Sequence, residues 1–311
     1  MSVNLSVNLN GIKLPNPVMT ASGCFGFGEE YNAFDPSVID LNELGAVVCK
    51  TITLEPRQGN LGHRVWETAA GMLNSIGLEN PGLQGFLRDK IPFLRQLKVP
   101  VIVSIAGFKT EEFGQLAQAL EIVSEVITAL EVNISCPNVE GGRVPFGATP
   151  EPAREVTRIV KENTSLPVIV KLTPNISAPF AEIVQAVEEG GADCLTIMNT
   201  LLGMDIDLKT NKAVFKNIVA GLSGPVIRPH ALCRVYQASQ VTKLPIIGLG
   251  GISCWQDAVK FFLAGASAVA IGSCAFANPS IFREVITGLT KYLAEKKLTD
   301  IKQIIGQMGK I

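Results

Sequence analysis

Cys136 stands in the stretch EVNISCPNVEGG, from Glu131 to Gly142, between two carboxamides, Asn133 and Asn138. An unperturbed thiol has a pKa of about 8.5, lowered beside a cation and raised in an apolar pocket. Each carboxamide offers a donor and an acceptor together, which suits a flat heterocycle with alternating N–H and C=O groups. The alternating run from Ala129 to Ile134 predicts a short strand. Pro137 and the Gly141-Gly142 pair then predict a turn, so the thiol lies just past a strand end. Taken alone, such a cysteine reads as a buried small residue with asparagines capping a turn. Its surroundings argue against that.

Other polar groups fall at equivalent places. Lys50 ends the second predicted strand, Asn133 the fourth and Lys171 the fifth, and Asn199 follows the sixth. A lysine closing an apolar run (VVCK, VIVK) is costly near a core unless it meets an anion or a polar ligand. Any one of them reads as a solvated strand end; two lysines and two asparagines at matching ends favour a ligand. Gly250-Gly251 follows the seventh strand and Gly272-Ser273 the eighth, where backbone N–H groups commonly bind phosphate. The GLSG run, Gly221 to Gly224, offers further close backbone approach. A lone glycine pair is an ordinary tight turn, but two at these strands point to a phosphorylated cofactor or substrate. The two histidines, His63 and His230, lie at no strand end and read as surface or packing residues. That leaves few candidates for a Ser-His-Asp triad or a His-ligated metal, and no metal site is expected. Cys136 is the most conspicuous candidate base.

The elements that must position these groups are short β-branched runs, each followed by a helical pattern. Strands are predicted near Pro17–Thr20, Ala46–Lys50, Val101–Ser104, Ala129–Ile134, Val168–Lys171, Cys194–Ile197, Ile246–Gly248 and Ala268–Ile271. Helices are predicted over Thr110–Ser124, Glu151–Asn163, Ala178–Glu189 and Trp255–Ala264, with a helical, Lys-rich tail from Ser280 to Ile311. Gly45, Gly191 and Gly265 each precede an alanine and a strand, which predicts left-handed glycines closing the preceding helices. Eight strand–helix units in 311 residues predict a (β/α)8 TIM barrel, a single domain over 1–311. A doubly wound open sheet is the alternative, but no G-x-G-x-x-G follows the first strand. Two intervals, 51–100 and 199–244, are long and follow strands, so they are expected over the C-terminal mouth of the barrel. Within the first, Gly71 to Gly82 is too rich in Gly, Asn and Pro for ordinary helix.

Composition narrows the class. A hydrophobic content of 47% against 18% charged residues indicates a globular protein with a large core. A net charge of −1 gives no general attraction to nucleic acid or an anionic membrane. No run approaches the roughly 18 apolar residues of a membrane span, and the N-terminal residues carry no secretory pattern. Seven cysteines without a C-x-x-C pair fit a reduced, cytoplasmic protein and offer no ordinary ligand set for zinc or an iron–sulfur cluster.

The motifs NISCPN, NSIGLENPG, VIVKL, Asn199-Thr200, GLSG, GLGG and AIGS, in that set, resemble class 1 dihydroorotate dehydrogenases from about Val18 to Ser280. TASGCFGFGEEY and the PRQGN and ETAAGMLNSIGL segments resemble the class 1B catalytic subunit more than the fumarate-using class 1A. Class 2, with its serine base and N-terminal membrane-associated extension, is less similar. The resemblance implies FMN in the barrel mouth and oxidation of dihydroorotate to orotate in pyrimidine biosynthesis, with Cys136 taking the C5 proton. It implies orotate contacts at Lys50, Asn74, Ser75, Ile76, Gly77, Leu78, Asn133, Asn199 and Thr200. It implies FMN contacts at Ser22, Lys50, Thr51, Asn133, Lys171, Gly224, Gly250, Gly251, Gly272 and Ser273. Ser104 and Met198 belong to the same flavin-contacting set but depart from the family pattern, where Asn and a smaller aliphatic residue are usual. Ala148 to Glu151 reads ATPE in place of TDPE. A class 1B likeness further implies a homodimer joined by an electron-transfer subunit carrying FAD and a 2Fe-2S cluster, as a heterotetramer that reduces NAD. The competing expectations are a self-sufficient fumarate-using enzyme, a flavin enzyme for another dihydropyrimidine, and a barrel kept only as a binding scaffold.

Overall fold

The eight β-branched runs do form parallel strands, and the hydrogen bonding carries them into a closed barrel. The structure, a computed structural model, describes residues 3–135 and 145–310. Its barrel strands are β1 (Val18–Thr20), β2 (Val47–Val48), β3 (Val101–Ile105), β4 (Ala129–Asn133), β5 (Val168–Leu172), β6 (Cys194–Ile197), β7 (Ile246–Leu249) and β8 (Ala268–Ile271). Each pairs in parallel with its neighbours in the order β1-β8-β7-β6-β5-β4-β3-β2. The two ends meet through a parallel bridge between Met19 and Ala46, where Gly45 N–H donates to Val18 O at 2.7 Å. Every residue of β3, β4 and β5 is buried. Strands covered on both faces read as near-continuous apolar runs, which is why they stand out in the sequence.

Helices Thr110–Leu120, Pro150–Glu162, Phe180–Glu189, Arg228–Ser239, Trp255–Ala264 and Ile281–Glu295 form the outer layer. Gly191 and Gly265 adopt φ of +94° and +116° and close their helices in the left-handed conformation. Gly45 behaves differently. It is needed for closeness, because a Cβ there would lie 2.1 Å from Asn16 O at the seam of the barrel. The tail also departs from expectation. Its helix ends at Glu295, Lys297 turns left-handed at φ +60°, and a short 3-10 turn, Ile301–Ile304, follows under an Asp300 cap. The cause is burial of Ile301 and Ile304 beside the N-terminal segment, where Asn4 N–H donates to Thr299 O and Ile301 N–H to Asn4 O.

Two additions decide where the barrel is open. An N-terminal hairpin, Val7–Leu9 with Ile12–Leu14, buries Leu9 and Ile12, and Asn10 donates to Asp193 O just before β6. That covers the N-terminal end. At the other end the two long intervals contribute a four-stranded antiparallel sheet: Leu201–Gly203, Ala220–Ser223, Gly71–Asn74 and Val65–Thr68. The stretch from Gly71 is not helical until Gly82. That the two intervals pair with each other was not legible, since three- and four-residue strands carry too little periodicity.

Helix Trp255–Ala264, after β7, is held at its start by Asp257. This buried carboxylate accepts from Ser253 N and Oγ and pairs with Arg228 at 2.8 Å and Lys260 at 3.3 Å. Burial alone would raise its pKa, but hydrogen bonds from Ser253 and Cys254 and the Arg228 charge together hold it below the usual aspartate range. A depressed folded pKa stabilises the fold above the unfolded value of about 3.9, and that contribution is lost as pH falls through the folded pKa. Asp257→Asn should therefore cost about 2–4 kcal/mol at neutral pH. The gap between the two proteins should narrow as pH falls below about 4, measured by urea unfolding across a pH series.

Candidate active site

Residues two apart on a strand share a face, and strand register sets which side chains meet inside the barrel. Ser104 on β3 aligns with Glu131 on β4, and Asn133 on β4 with Lys171 on β5, which aligns in turn with Thr196 on β6. The result is a polar layer at the top of an otherwise apolar barrel. Glu131 and Lys171 are only 3% and 4% exposed. Lys171 Nζ donates to Ser22 Oγ at 2.9 Å, and Ser22 Oγ donates to Glu131 Oε1 at 2.6 Å.

A second network fixes the asparagines. Thr51 Oγ1 and Ser104 Oγ share a hydrogen bond of 2.9 Å, and Asn133 Nδ2 donates to Thr51 Oγ1 at 3.3 Å. Asn133 Oδ1 accepts from Ser135 Oγ at 2.7 Å, and Asn199 Nδ2 donates to that same hydroxyl at 2.7 Å. Asn199 Oδ1 accepts from Thr200 N–H, whose carbonyl accepts from Asn175 Nδ2. The carboxamides from β4 and β6 are thereby oriented before any ligand arrives.

Part of both networks faces one cavity of about 910 Å3, its open mouth included. Lys50, Thr51, Asn74, Ile76, Gly77, Leu78, Asn133, Lys171, Asn199, Thr200 and Ser22 all reach its wall. Among the described residues, two of the expected contacts line neither this cavity nor the smaller one beside it. Ser75 is buried with its hydroxyl accepting from Asn60 Nδ2 at 2.9 Å, and Ser104 lies beneath Thr51. The tight turn behind Asn74 uses Gly77 at φ +76°, where a Cβ would lie 2.5 Å from Asn60 Oδ1. Cys136 falls outside the described residues.

A second, smaller cavity lies under the loops of β6, β7 and β8, lined by Met198, Gly224, Gly250, Gly251, Gly272 and Ser273, and it shares Ser22, Lys171, Asn199 and Thr200 with the first. All the expected cofactor residues of this part meet here. Gly251, at φ +74°, sits so close that a Cβ would lie 2.7 Å from Gly224 O, so the loops converge only because side chains are missing. Among the described residues, the backbone N–H groups of Gly250, Gly251 and Ser273 have no intramolecular acceptor. Helix Arg228–Ser239 starts beside them, preceded by the turn Pro225–Ile227. Unsatisfied amides at the end of a glycine-walled slot fit a phosphate group.

On its other side the cavity meets a broader opening lined by Gly23, Cys24, Tyr31, Phe34, Lys50 and Phe276. Phe34 and Phe276 are 45% and 55% exposed there. Cys24 touches all three spaces, a placement that sequence reading missed because nothing sets it apart from the other cysteines. Burial pushes its thiol up, with Lys171 and Lys50 pulling the other way. Glu131 and Ser135 were also missed. An acidic residue inside the run ALEVN was the available signal, since a carboxyl is tolerated within a barrel strand only if it has partners. The histidines are peripheral as expected: His63 is exposed and His230 half-buried beside Arg234. Among the described residues no group of His, Cys, Asp and Glu is arranged to hold a metal ion, and no helix is long and apolar enough to cross a membrane.

Comparison with known proteins places this geometry. The dihydroorotate dehydrogenase family matches residues 4–293. The dihydroorotate dehydrogenase B (NAD(+)) catalytic subunit of Thermoanaerobacter pseudethanolicus is 49% identical over 306 residues, 98% of this chain and 99% of the relative. Its counterpart from Desulforamulus reducens is also 49% identical over 306 residues, with the same coverage. That from Bacillus pumilus is 47% identical over 306 residues, 98% of this chain and 97% of the relative. A parallel barrel whose mouth gathers two lysines, a set of oriented carboxamides and a glycine-walled slot, matched almost end to end at this identity, belongs to the dihydroorotate dehydrogenase family.

Proposed function

We propose that the chain is the catalytic subunit of a class 1B dihydroorotate dehydrogenase, holding FMN in the barrel mouth and oxidising dihydroorotate to orotate in pyrimidine biosynthesis. One observation carries the reading: a glycine-walled slot of unsatisfied amides and a chamber of oriented carboxamides and lysines lie side by side, with Ser22, Lys171, Asn199 and Thr200 in the walls of both. Gly224, Gly250, Gly251, Gly272 and Ser273 would hold the phosphate. Ser22, Thr51, Asn133 and Lys171 would face the ring system, with Met198 on the wall and Ser104 supporting Thr51. When bound, FMN supplies the two-electron acceptor for the hydride from C6 of the substrate. Lys50, Asn74, Ile76, Gly77, Leu78, Asn133, Asn199 and Thr200 would bind the substrate, with Ser75 shaping the turn that presents its neighbours. The purified protein should be yellow and should release FMN, not FAD, on denaturation. Lys171→Ala should loosen the flavin or lower its reduction potential, because a nearby cation favours the anionic reduced form. A colourless protein that cannot be reconstituted with FMN would overturn the cofactor assignment.

Loss of hydride from C6 leaves the double bond to form as C5 gives up a proton, and we assign that proton to Cys136. The cavity offers a rival thiol in Cys24, but burial raises its pKa despite the two lysines. A raised thiol pKa keeps the group protonated at neutral pH, so Cys24 is the poorer base. Cys136→Ala should keep FMN and orotate binding yet slow flavin reduction by at least ~10²-fold, whereas Cys24→Ser should stay within a few-fold of wild type. Cys136→Ser should be impaired mainly at low pH, since a hydroxyl gives up its proton less readily. Stopped-flow reduction by dihydroorotate distinguishes them; the reverse ranking would move the role to Cys24.

Electrons must then leave the flavin. The relatives are named as NAD(+)-linked catalytic subunits, which supports a partner polypeptide; the class 1B resemblance implies that it carries FAD and a 2Fe-2S cluster. The broad opening beside Cys24 and Phe276 is the side on which we place it. Exposed Leu202, Met204, Ile206 and Leu208 on the loops over the mouth support a homodimer and hence a heterotetramer. The reaction is placed in the cytoplasm, where pyrimidine synthesis and reduced thiols coincide. Alone, the chain should reduce artificial dyes with dihydroorotate but show negligible NAD reduction, and co-expression with the partner should restore it. Rapid fumarate-dependent turnover by the isolated chain would instead establish the self-sufficient alternative.

A further inference from the structure

Among the described residues, Glu131 is a fully enclosed carboxyl inside the barrel to which the chemistry above gives no task. Its two oxygens are both engaged. Oε1 accepts from Ser22 Oγ at 2.6 Å and Oε2 from Thr196 Oγ1 at 3.2 Å, with Lys171 Nζ 3.9 Å from Oε1. Ser22 stands between the two charged groups, accepting from Lys171 and donating to Glu131. Lys171 and Ser22 both line the cavity, whereas Glu131 lies behind them, off its wall. The three residues come from the β1 loop, β4 and β5, so the arrangement is made by the barrel and not by local sequence.

Resting on the FMN reading above, we propose that Glu131 is a positioning residue for Lys171 that sets the reduction potential of the bound flavin. The carboxyl offsets part of the lysine's charge and, through Ser22, fixes where that charge sits. Glu131 is only 3% exposed, so its charge behind the cavity wall is weakly screened and acts on the flavin ring. A negative group there disfavours the anionic reduced flavin and holds the potential down. Removing the charge should therefore raise it. The arrangement keeps a lysine next to the cofactor without letting its full charge trap electrons that must pass onward.

The test uses FMN-loaded wild type, Glu131→Gln and Glu131→Asp, with midpoint potentials from dye-equilibrated reduction and FMN affinities from fluorescence titration. Glutamine keeps the shape and an acceptor for Ser22 while losing the charge. It should shift the ratio of oxidised to reduced flavin dissociation constants about tenfold towards tighter binding of the reduced form, ~30 mV upward for a two-electron couple. Aspartate, one methylene shorter, withdraws the charge and should move the potential in the same direction by less. A purely structural role weakens both redox states alike and leaves the potential unchanged; that result, or a downward shift, overturns the proposal. If glutamine fails to load, aspartate decides by the same criterion, and if neither variant holds FMN the residue is structural and the proposal falls. A wild-type protein that takes no FMN would instead defeat the cofactor reading on which this rests.

Discussion

A lysine and a glutamate buried side by side at the top of a barrel constrain much of the rest of this fold. Removing an ion from water costs several kcal/mol even after relaxation, and a contact of 3.9 Å offsets that only if the remaining donors and acceptors are filled. Ser22 and Thr196 fill them here, and they arrive from different strands. The barrel must therefore close in a particular register, with Asn133, Lys171 and Thr196 in one row. The bridge between Met19 and Ala46 and the close approach at Gly45 complete that closure. Glu131, Asn133, Lys171 and Thr196 gather in the top layer while the hairpin Val7–Leu9 and Ile12–Leu14 packs at the bottom, so the cavity opens at the top.

The asparagines depend on the same rigidity. A carboxamide selects a flat heterocycle only if it cannot rotate to offer the opposite pattern. Asn133 and Asn199 share the Ser135 hydroxyl, and Asn133 also reaches Thr51, which is pinned in turn by Ser104. Ser104 thus matters although it lines nothing. Its small hydroxyl, buried beneath Thr51, fixes that residue from below.

Much of this was legible, and the physical reasons differ from place to place. β-strands covered on both faces are written as β-branched runs, so all eight appeared in order. Terminal lysines on VVCK and VIVK were conspicuous because apolar strands rarely end in a charge without a partner. Loop 51–100 was recognisable as long but not as a sheet, because Gly71–Asn74 pairs across to the interval 199–244, and short strands such as it and Val65–Thr68 carry no periodicity. Glu131 hid for a related reason. Its partners, Ser22 and Thr196, are separated from it by 109 and 65 residues, and no local pattern reports a contact made by barrel closure. The tail helix was overextended because Lys-rich sequence continues past Glu295, while burial of Ile301 and Ile304 turns the chain back.

The glycines of the β6, β7 and β8 loops show how the same closure produces a binding slot. At Gly251 a side chain would strike Gly224 O, and at Gly224 it would strike Gly71 Cα, so three segments distant in sequence meet at their bare backbones. Bare backbone at a loop end exposes N–H groups, and unsatisfied N–H groups attract an anion. On the proposed reading the slot needs no dedicated cation for this, and Lys171 serves the flavin ring at the other end. Anchoring one end of a long ligand with fixed dipoles and tuning the other with a single buried charge separates binding from reactivity. Changes at the slot should alter affinity for both redox states together, whereas changes around Lys171 alter the difference between them.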